Sequence, residues 1–408
     1  MIASTEPTFL KGFARECVHN DQDLALFEPG SIHTLAAFQS HRDTVVDVAC
    51  KDKSGRFYSG DHRARQSVEV KFGDFLDYYQ ATNKGEPHWL GSVEDLEFYL
   101  CQCPIAVFKP DDTSSVATLP NIMQMFKVPN ALAGANLTQT NLWIAVNSSR
   151  TSVHYDAYRN VLVVLHGTKT VTLYPPSDTG NLYSRPIFSK SSNHSEVNFA
   201  HPDLSQHPAF ANAHPQVFKL EAGDALYIPE GWWHQVDTSA YCIAINYWFD
   251  GLRAELVQDP HMTTYYARVA MEELVRLESS RILRQFHEQA AHTVNSATPS
   301  RIVQPQSQTE HERMLMSLSE QQLKDAQVTL ASSHPDDWRA LLENASVDFA
   351  AYLADHWDRQ TDQLDWLSAV LQALGEHEDR IKQHLLEQQE AFQHKIFKQV
   401  VEAALGRL

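Results

Sequence analysis

The sequence predicts a mainly β domain followed by an α-helical region, with the change of character near residue 255. In the first part, short runs rich in Val, Ile, Tyr and Trp are bounded by Gly, Pro, Asp and Ser, a pattern typical of the strands of a β-sandwich or barrel. In the second part, apolar residues recur at intervals that place them on one face of a helix. A chain of 408 residues is long enough for two structural units that each bury a core.

Six runs in the first part carry the strand pattern, and two further segments, around 71–80 and 92–101, are interpreted as inserted helices. The predicted strands cover 44–50, 141–146, 160–167, 170–176, 225–229 and 242–249. Short strands separated by turn-forming residues are the signature of an all-β sandwich or barrel.

Two apolar stripes define the helical region, and both follow the spacing four, seven, four. The stripes are Met271, Val275, Ile282 and Phe286, then Ile381, Leu385, Phe392 and Ile396. Between them, the polar segment 290–310 predicts a loose linker, and Ser317 with Glu320 predicts a helix-capping box. Such stripes pack on the protein's own core or on a second copy. We therefore expect residues 256–408 to cap the barrel, to form a homodimer or to recruit substrate.

The formal net charge of −18 argues against a surface that follows nucleic-acid phosphates, which needs clustered Lys and Arg. Nucleic acid is therefore a disfavoured partner, and basic or neutral proteins fit better. The five cysteines form no CxxC pair, which favours reduced thiols, and the N-terminus has no apolar run of signal-peptide length. No stretch reaches the roughly 18 apolar residues of a membrane helix. These features predict a cytoplasmic protein without a membrane segment, and they leave a nuclear location open.

The segment TSVHYDAYRN, residues 151–160, carries a His-x-Asp pair. In a strand, alternate side chains share a face, so His154 and Asp156 would project together while Tyr155 points to the opposite side. An imidazole and a carboxylate on one face supply two of the three ligands of a facial metal site.

The third ligand is predicted in GDALYIPEGWWHQV, residues 223–236, where Gly231 permits a tight bend that delivers His234. Two histidines and one carboxylate on one face of an octahedron leave three positions for co-substrates. Non-haem iron(II) oxygenases use this arrangement, whereas zinc favours a closed or nearly closed tetrahedral set. Each motif alone is weak, because the chain has 21 histidines and an isolated histidine is more often structural. The combination of both motifs in this order favours the metal site.

At these residues the chain resembles the JmjC/cupin-like family of iron(II)- and 2-oxoglutarate-dependent oxygenases. Its motifs most resemble those of the protein-hydroxylase branch, which includes the asparaginyl hydroxylase acting on hypoxia-inducible factor. Gly223, Pro229, Gly231 and His234 fit the cupin pattern G-x5-P-x-G-x2-H, and the trailing Asn of that pattern is replaced by Thr238. The resemblance covers roughly residues 25–250. It implies a double-stranded β-helix (jelly-roll/cupin) core with flanking helices as the catalytic domain, residues 1–255, and leaves 256–408 as a helical C-terminal region.

The resemblance also implies co-substrate ligands beyond the triad. Lys169 corresponds to the lysine that pairs with the distal carboxylate of 2-oxoglutarate, and an unpaired carboxylate inside a barrel would be costly to desolvate. Thr151 and Tyr99 correspond to hydroxyl donors near the same carboxylate. Asn160 and Asn246 match amide positions near the other end of the co-substrate and the oxygen site. Tyr99 is placed in the helix expected at 92–101.

The implied reaction uses Fe(II), 2-oxoglutarate and O₂, and hydroxylates a C–H bond with release of succinate and CO₂. A protein side chain is the favoured substrate. An N-methyl-lysine demethylase and a tRNA-base hydroxylase are alternatives on the same site, and a non-catalytic cupin-type binding or scaffold protein is the alternative from another class.

The segment 189–216 between the two motifs contains four histidines. They are His194, His201, His207 and His214. A polar loop that forms one wall of the substrate cleft is favoured over a second metal site, because Pro, Asn and Ser are typical of loops.

Overall fold

The computed structural model describes residues 4–53, 58, 66–93, 96–108, 115–116, 119–189, 191–199, 201–250, 258–293, 308–359 and 364–406. The chain forms two compact units. The first comprises Met1–Arg185 and Ser191–Ala267, and the second comprises Pro186–Lys190 and Arg268–Leu408. The boundary predicted at residue 255 lies outside the described residues.

The first unit is built from antiparallel strands, which confirms the predicted mainly β core. Its strands are β1 Thr8–Leu10, β2 Val45–Asp52, β3 Ser67–Lys71, β4 Leu96–Phe108, β5 Ser115–Val116, β6 Leu137–Ala145, β7 Ser149–Arg150, β8 Arg159–His166, β9 Thr168–Tyr174, β10 Gln216–Glu221, β11 Ala225–Ile228, β12 Trp233–Thr238 and β13 Ile243–Phe249. The larger sheet has nine strands in the order β1-β11-β8-β13-β6-β4-β2-β3, with β5 paired to β4. The smaller sheet has the order β10-β9-β12-β7. All six predicted strands are present.

The helices of the first unit are short, apart from one. They are α1 Ala36–Gln39, α2 Phe72–Lys84 and α3 Pro120–Met123. Helix α2 confirms the helix predicted around 71–80. It ends at Gly85, whose φ of 71° is a left-handed conformation that favours glycine after a helix.

The helix predicted at 92–101 is wrong, because β4 runs from Leu96 to Phe108. Its alternate residues face two different apolar clusters: Phe98 and Leu100 join one, and Tyr99 and Cys101 join the other. A strand that is covered on both faces shows no polar–apolar alternation, so its sequence looks like a buried helix. Tyr99 therefore projects from a strand.

The two faces of the larger sheet have separate cores. One face packs against α2 and the N-terminal turns through residues such as Phe75 and Tyr79. The opposite face meets the smaller sheet, where Val164 of β8 and Ala244 of β13 share a cluster with Leu173 of β9. This second cluster is the interior of the β-sandwich, and it contains the candidate site.

The second unit is helical, as predicted. Its helices are α4 Thr263–Thr293 (which begins in the first unit), α5 Glu310–Met316, α6 Glu320–Ser333, α7 Pro335–Glu343, α8 Val347–Asp358, α9 Leu364–Gln372 and α10 Glu378–Leu405. From the two predicted stripes, Val275 and Ile282 of α4 lie in one cluster with Phe392 and Ile396 of α10. None of the helices in the described part of the chain combines the length and the apolar character needed to cross a bilayer.

Two local predictions for this region concern the linker at 290–310 and the capping box at Ser317 and Glu320. Helix α4 continues to Thr293, through the first residues of the predicted linker, and 294–307 lie outside the described residues. The capping box predicted at Ser317 and Glu320 is wrong. Ser319 caps α6, because its hydroxyl accepts from the Gln322 N–H while the Gln322 side chain accepts from the Ser319 N–H. Ser317 instead ends α5. Both Ser317 with Glu320 and Ser319 with Gln322 match the capping-box pattern, and the prediction chose the wrong one of these two overlapping matches.

Candidate active site

The structure brings His154, Asp156 and His234 together at one end of the sandwich interior. One potential ligand atom from each residue lies within 4.8 Å of the other two. His234 Nε2 is 3.6 Å from Asp156 Oδ2, and the two imidazole centroids are 4.3 Å apart. Within the described ranges, no second group of three or more His, Cys, Asp or Glu side chains is arranged in this way.

Backbone pairing holds the two candidate metal-binding motifs side by side. The His154 N–H donates to the His234 carbonyl at 3.1 Å, and the His234 N–H donates to the His154 carbonyl at 2.7 Å. The Gly231 N–H donates to the Asp156 carbonyl at 3.1 Å. His154 forms isolated bridges and does not belong to a continuous strand, which corrects the strand expected for this segment. The pairing with His234 now fixes the position of the His-x-Asp motif.

Hydrogen bonds to backbone carbonyls set the tautomers of both histidines. His154 Nδ1 is 2.9 Å from the Ser152 carbonyl oxygen, and His234 Nδ1 is 3.0 Å from the Trp232 carbonyl oxygen. A carbonyl oxygen only accepts, so each Nδ1 carries the proton and each Nε2 keeps a lone pair for a metal. Burial and the neighbouring His154 lower the pKa of His234 to about 4, although Asp156 opposes that shift. His234 is therefore neutral near pH 7, as a metal ligand must be.

Lys169 lies in the sandwich interior, on the same sheet face as His234. On β9 and β12, Lys169 pairs with Thr238 and Leu173 pairs with His234. Thr238 and His234 are an even number of residues apart on β12, so Lys169 and His234 lie on the same face of the sheet. The side chain is only 3% exposed, and burial lowers its pKa below the ordinary value. No carboxylate among the residues that the structure describes pairs with it. A buried cation without an anionic partner fits a site that receives a carboxylate.

Hydroxyl groups surround the ammonium group of Lys169. Its Nζ is 2.9 Å from Thr238 Oγ1 and 3.4 Å from the Tyr99 hydroxyl. Thr238, the residue that departs from the cupin pattern, is thus part of the lysine pocket, and sequence reasoning gave it no role. The hydroxyl of Thr151 accepts the Val236 N–H at 3.0 Å and joins two backbone segments.

Asn160 and Asn246 form part of a buried row of amides. Asn246 Nδ2 donates to Asn160 Oδ1 at 3.0 Å, and Asn246 Oδ1 accepts from Trp143 Nε1 at 2.8 Å and from Asn141 Nδ2 at 3.2 Å. Sequence reasoning missed Asn141 as a member of this row. The role of Asn141 becomes visible only once the pairing of β6 with β13 is known, because Asn141 lies directly opposite Asn246 in that pair. The row gives the interior a fixed set of polar groups.

His194 is a further residue at the site, and sequence reasoning had placed it in the polar loop 189–216 without an individual role. Its ring stacks on His154, with centroids 5.1 Å apart and 14° between the planes, and the two residues form a backbone bridge. His194 Nδ1 is 2.9 Å from Asn193 Oδ1. Burial and the adjacent His154 lower the pKa of His194 to about 2, so its ring is neutral. The segment was expected to be a polar loop, and this histidine does lie between turns, but it packs against a triad residue.

Two other histidines of the segment have local partners. His214 Nδ1 is 3.0 Å from Asp178 Oδ1, and the ring of His207 packs edge-on against Tyr183 with centroids 4.7 Å apart. The second metal site that was weighed for this segment therefore gains no support from the described residues.

Several known proteins are similar in sequence to this chain. A family model described as a cupin-like domain matches residues 1–255. Lysine-specific demethylase JMJ31 of Arabidopsis thaliana is 32% identical over 270 residues, which cover 62% of this chain and 48% of that protein. HSPB1-associated protein 1 of Homo sapiens is 34% identical over 120 residues, covering 29% of this chain and 25% of that protein. JmjC domain-containing protein E of Dictyostelium discoideum is 30% identical over 154 residues, 44% of its length. The chain thus spans less than half the length of each of these relatives.

Proposed function

This chain belongs to the JmjC/cupin-like family of iron(II)- and 2-oxoglutarate-dependent oxygenases, and from that premise we propose that it hydroxylates a C–H bond of a protein side chain. The observation that carries the proposal is the combination of two features in one sandwich interior. One potential ligand atom from each of His154, Asp156 and His234 lies within 4.8 Å of the other two, and Lys169 is a buried cation with no carboxylate partner in the described residues. A metal-free scaffold protein has no use for a buried, unpaired cation, which costs stability.

The donor set fits iron(II), and the lysine pocket fits 2-oxoglutarate. Two neutral imidazoles and one carboxylate are the ligands of non-haem iron(II) oxygenases. When bound, iron(II) with 2-oxoglutarate supplies the oxidative chemistry that couples decarboxylation to succinate with hydroxylation of the substrate by O₂. Lys169, Thr238 and Tyr99 would hold the distal carboxylate by charge-assisted hydrogen bonds.

The protein's own contribution is orientation and exclusion of water. The carbonyls of Ser152 and Trp232 hold the protons on Nδ1 of the two histidines, which would leave both Nε2 atoms free to bind the metal. Hydrogen bonds link Asn246 to both Asn141 and Asn160, which makes the amide row a rigid polar wall.

A protein substrate is proposed on two grounds. The net charge of −18 favours basic or neutral partners and disfavours nucleic acid. A relative of 32% identity carries the name lysine-specific demethylase, which favours a basic protein segment as substrate. The same relative makes N-methyl-lysine demethylation the second candidate. The two reactions are chemically close, because hydroxylation of an N-methyl group yields an unstable hemiaminal that releases formaldehyde.

Succinate formation tests the proposed activity. We expect the wild-type chain with iron(II), 2-oxoglutarate, ascorbate and air to release succinate, slowly without substrate and faster with it. His154→Ala should abolish both iron binding and succinate release. His19→Ala is the matched control, since His19 is an exposed histidine bonded to the Gln124 carbonyl. Retained turnover in His154→Ala would refute the assignment.

The two candidate reactions differ in the mass of the product. The wild-type chain and His154→Ala would each be incubated with two kinds of substrate. The first is proteins that co-purify with the His154→Ala variant, and the second is matched peptides with and without N-methyl-lysine. A stable gain of one oxygen atom on an unmethylated side chain supports hydroxylation. Loss of a methyl group together with formaldehyde supports demethylation and would replace the first candidate.

A further inference from the structure

Tyr265 packs directly against the turn that delivers His234. It lies beyond the segment matched by the cupin-like model, in the first turn of α4, yet it belongs to the first compact unit and is almost fully buried. Gly231 has a φ of 78°, a left-handed conformation that favours glycine. A Cβ atom at Gly231 would lie 3.0 Å from Tyr265 Cδ2. The aromatic ring therefore fills the space that the missing side chain leaves.

The hydroxyl group of Tyr265 makes a second contact with the same turn. It donates to Glu230 Oε1 at 2.9 Å, and both side chains are buried. Burial and the adjacent Glu230 raise the pKa of Tyr265 well above its ordinary value, so the hydroxyl keeps its proton and stays a donor. Glu230 and Gly231 are consecutive, and the Gly231 N–H is bonded to the Asp156 carbonyl. The ring and the hydroxyl thus hold adjacent residues of one turn.

Tyr265 also contacts the His-x-Asp segment. Its ring packs edge-on against Tyr155, with centroids 5.4 Å apart, and Tyr155 packs edge-on against Trp233 with centroids 4.8 Å apart. Tyr155 stands between the two ligands of the first motif, and Trp233 immediately precedes the third ligand, His234. The side chains adjacent to the ligands thus form one aromatic cluster behind the metal centre.

We propose that Tyr265 is a positioning residue of the metal centre. Its side chain fixes the two ligand-bearing segments relative to each other by packing against both of them. This inference rests on the proposed function, because it concerns how the same three ligands are held. Loss of the ring would leave a cavity beneath both segments, and the three ligands would no longer be fixed in one facial geometry. Changes in residues that orient metal ligands typically lower metal affinity about 10- to 100-fold.

A purely structural role for Tyr265 is separable from this proposal. Tyr79 of α2 is an equally buried tyrosine in the other core of the same unit. Its hydroxyl donates to the Tyr241 carbonyl at 3.2 Å, and its ring packs edge-on against Tyr241 with centroids 5.6 Å apart. Tyr79→Leu therefore removes a comparable set of contacts without touching the aromatic cluster behind the metal centre.

The test measures metal affinity and stability in the full-length chain. Wild type, Tyr265→Leu, Tyr265→Phe and Tyr79→Leu would be titrated without oxygen with Co²⁺, whose visible absorption reports the ligand geometry, and unfolded with urea in the absence of metal. We expect Tyr265→Leu to lose about 10- to 100-fold in Co²⁺ affinity with an altered spectrum. Tyr265→Phe keeps the ring but loses the hydrogen bond to Glu230, so it should lose only several-fold. Tyr79→Leu should lose stability while keeping wild-type affinity and spectrum.

Each other outcome overturns a stated part of the account. Equal Co²⁺ affinities in Tyr265→Leu and Tyr79→Leu would overturn the positioning role and leave the proposed function standing. A wild-type chain that binds no Co²⁺ would refute both. If Tyr265→Leu does not fold, Tyr265→Phe against Tyr79→Phe decides. The first should then show a several-fold loss of affinity and the second none, and equal affinities would overturn the proposal.

Discussion

The ammonium nitrogen of Lys169 lies 2.9 Å from the hydroxyl oxygen of Thr238, its direct partner across β9 and β12. This pairing fixes the cation on the sheet face that also carries His234. The distance between the metal ligands and the cation is thereby set by strand register, which a β-sandwich holds rigidly. A co-substrate that spans the two points has to match that fixed distance.

Lys169→Met should raise the stability of the metal-free chain and weaken 2-oxoglutarate binding. Methionine fills a similar volume without a buried charge, so we expect the free energy of unfolding to rise by about 1–3 kcal/mol. The Michaelis constant for 2-oxoglutarate should rise about 10- to 100-fold, which corresponds to the loss of a charged hydrogen bond. Urea unfolding and succinate assays measure the two effects, and Co²⁺ affinity should stay unchanged. A variant that is both less stable and unaltered toward 2-oxoglutarate would show that Lys169 is structural.

His194→Ala should weaken metal binding through its neighbour. The stacked ring of His194 restrains His154, and such aromatic contacts contribute about 0.5–1.5 kcal/mol, or roughly 2- to 12-fold in affinity. His194→Phe keeps a stacking ring and should restore most of the affinity for Co²⁺. His207→Ala is the matched control in the same segment, because its ring packs against Tyr183. Equal affinities in all three variants would remove His194 from the site.

The helical unit should lose stability in mild acid through His356. This side chain is fully buried on α8, and neither of its nitrogens has a hydrogen-bond partner among the described residues. Burial lowers its pKa to about 4, although Glu320 opposes the shift. Below pH 6.5 the unfolded chain takes up a proton at this position while the folded unit does not. The free energy of unfolding should therefore fall by about 2 kcal/mol between pH 7 and pH 5 from this group.

His356→Leu isolates that contribution from other titrating groups. The free energy of unfolding would be measured with urea for the wild type and the variant at pH 7 and pH 5. Relative to the wild type, that of the variant should rise by about 2 kcal/mol from pH 7 to pH 5. Nearby charged groups such as Asp355 and Arg359 are the same in both chains, so they cancel in the comparison. A gap that is independent of pH would mean that His356 is protonated equally in the folded and unfolded states.

The sequence predicted those parts of the fold that depend on local pattern. The strands at 160–167 and 242–249 were predictable because β-branched runs between turn residues have few alternative structures. The strand at Leu96–Phe108 was not, since its burial on both faces removes the alternation that identifies a strand. The bend before His234 was predictable from Gly231, whose positive φ the structure shows.

The contacts that arrange the site were mostly outside the reach of sequence reasoning. His194, Asn141 and Tyr265 come from three distant segments, and no spacing rule connects them to the ligands. Their roles follow from register and side-chain packing, which are set by the tertiary structure. Lys169 was an exception, because the resemblance to the oxygenase family already implied a role for a lysine at this position of the strand.

The most direct test of the central claim is the visible absorption of the wild-type chain with iron(II) as 2-oxoglutarate is added without oxygen. Chelation of triad-bound iron by the 2-oxo acid should produce a weak charge-transfer band that saturates with 2-oxoglutarate. The band should be absent in His234→Ala and should need more 2-oxoglutarate in Lys169→Met. A wild-type chain that binds iron(II) but shows no band at saturating 2-oxoglutarate would contradict the account.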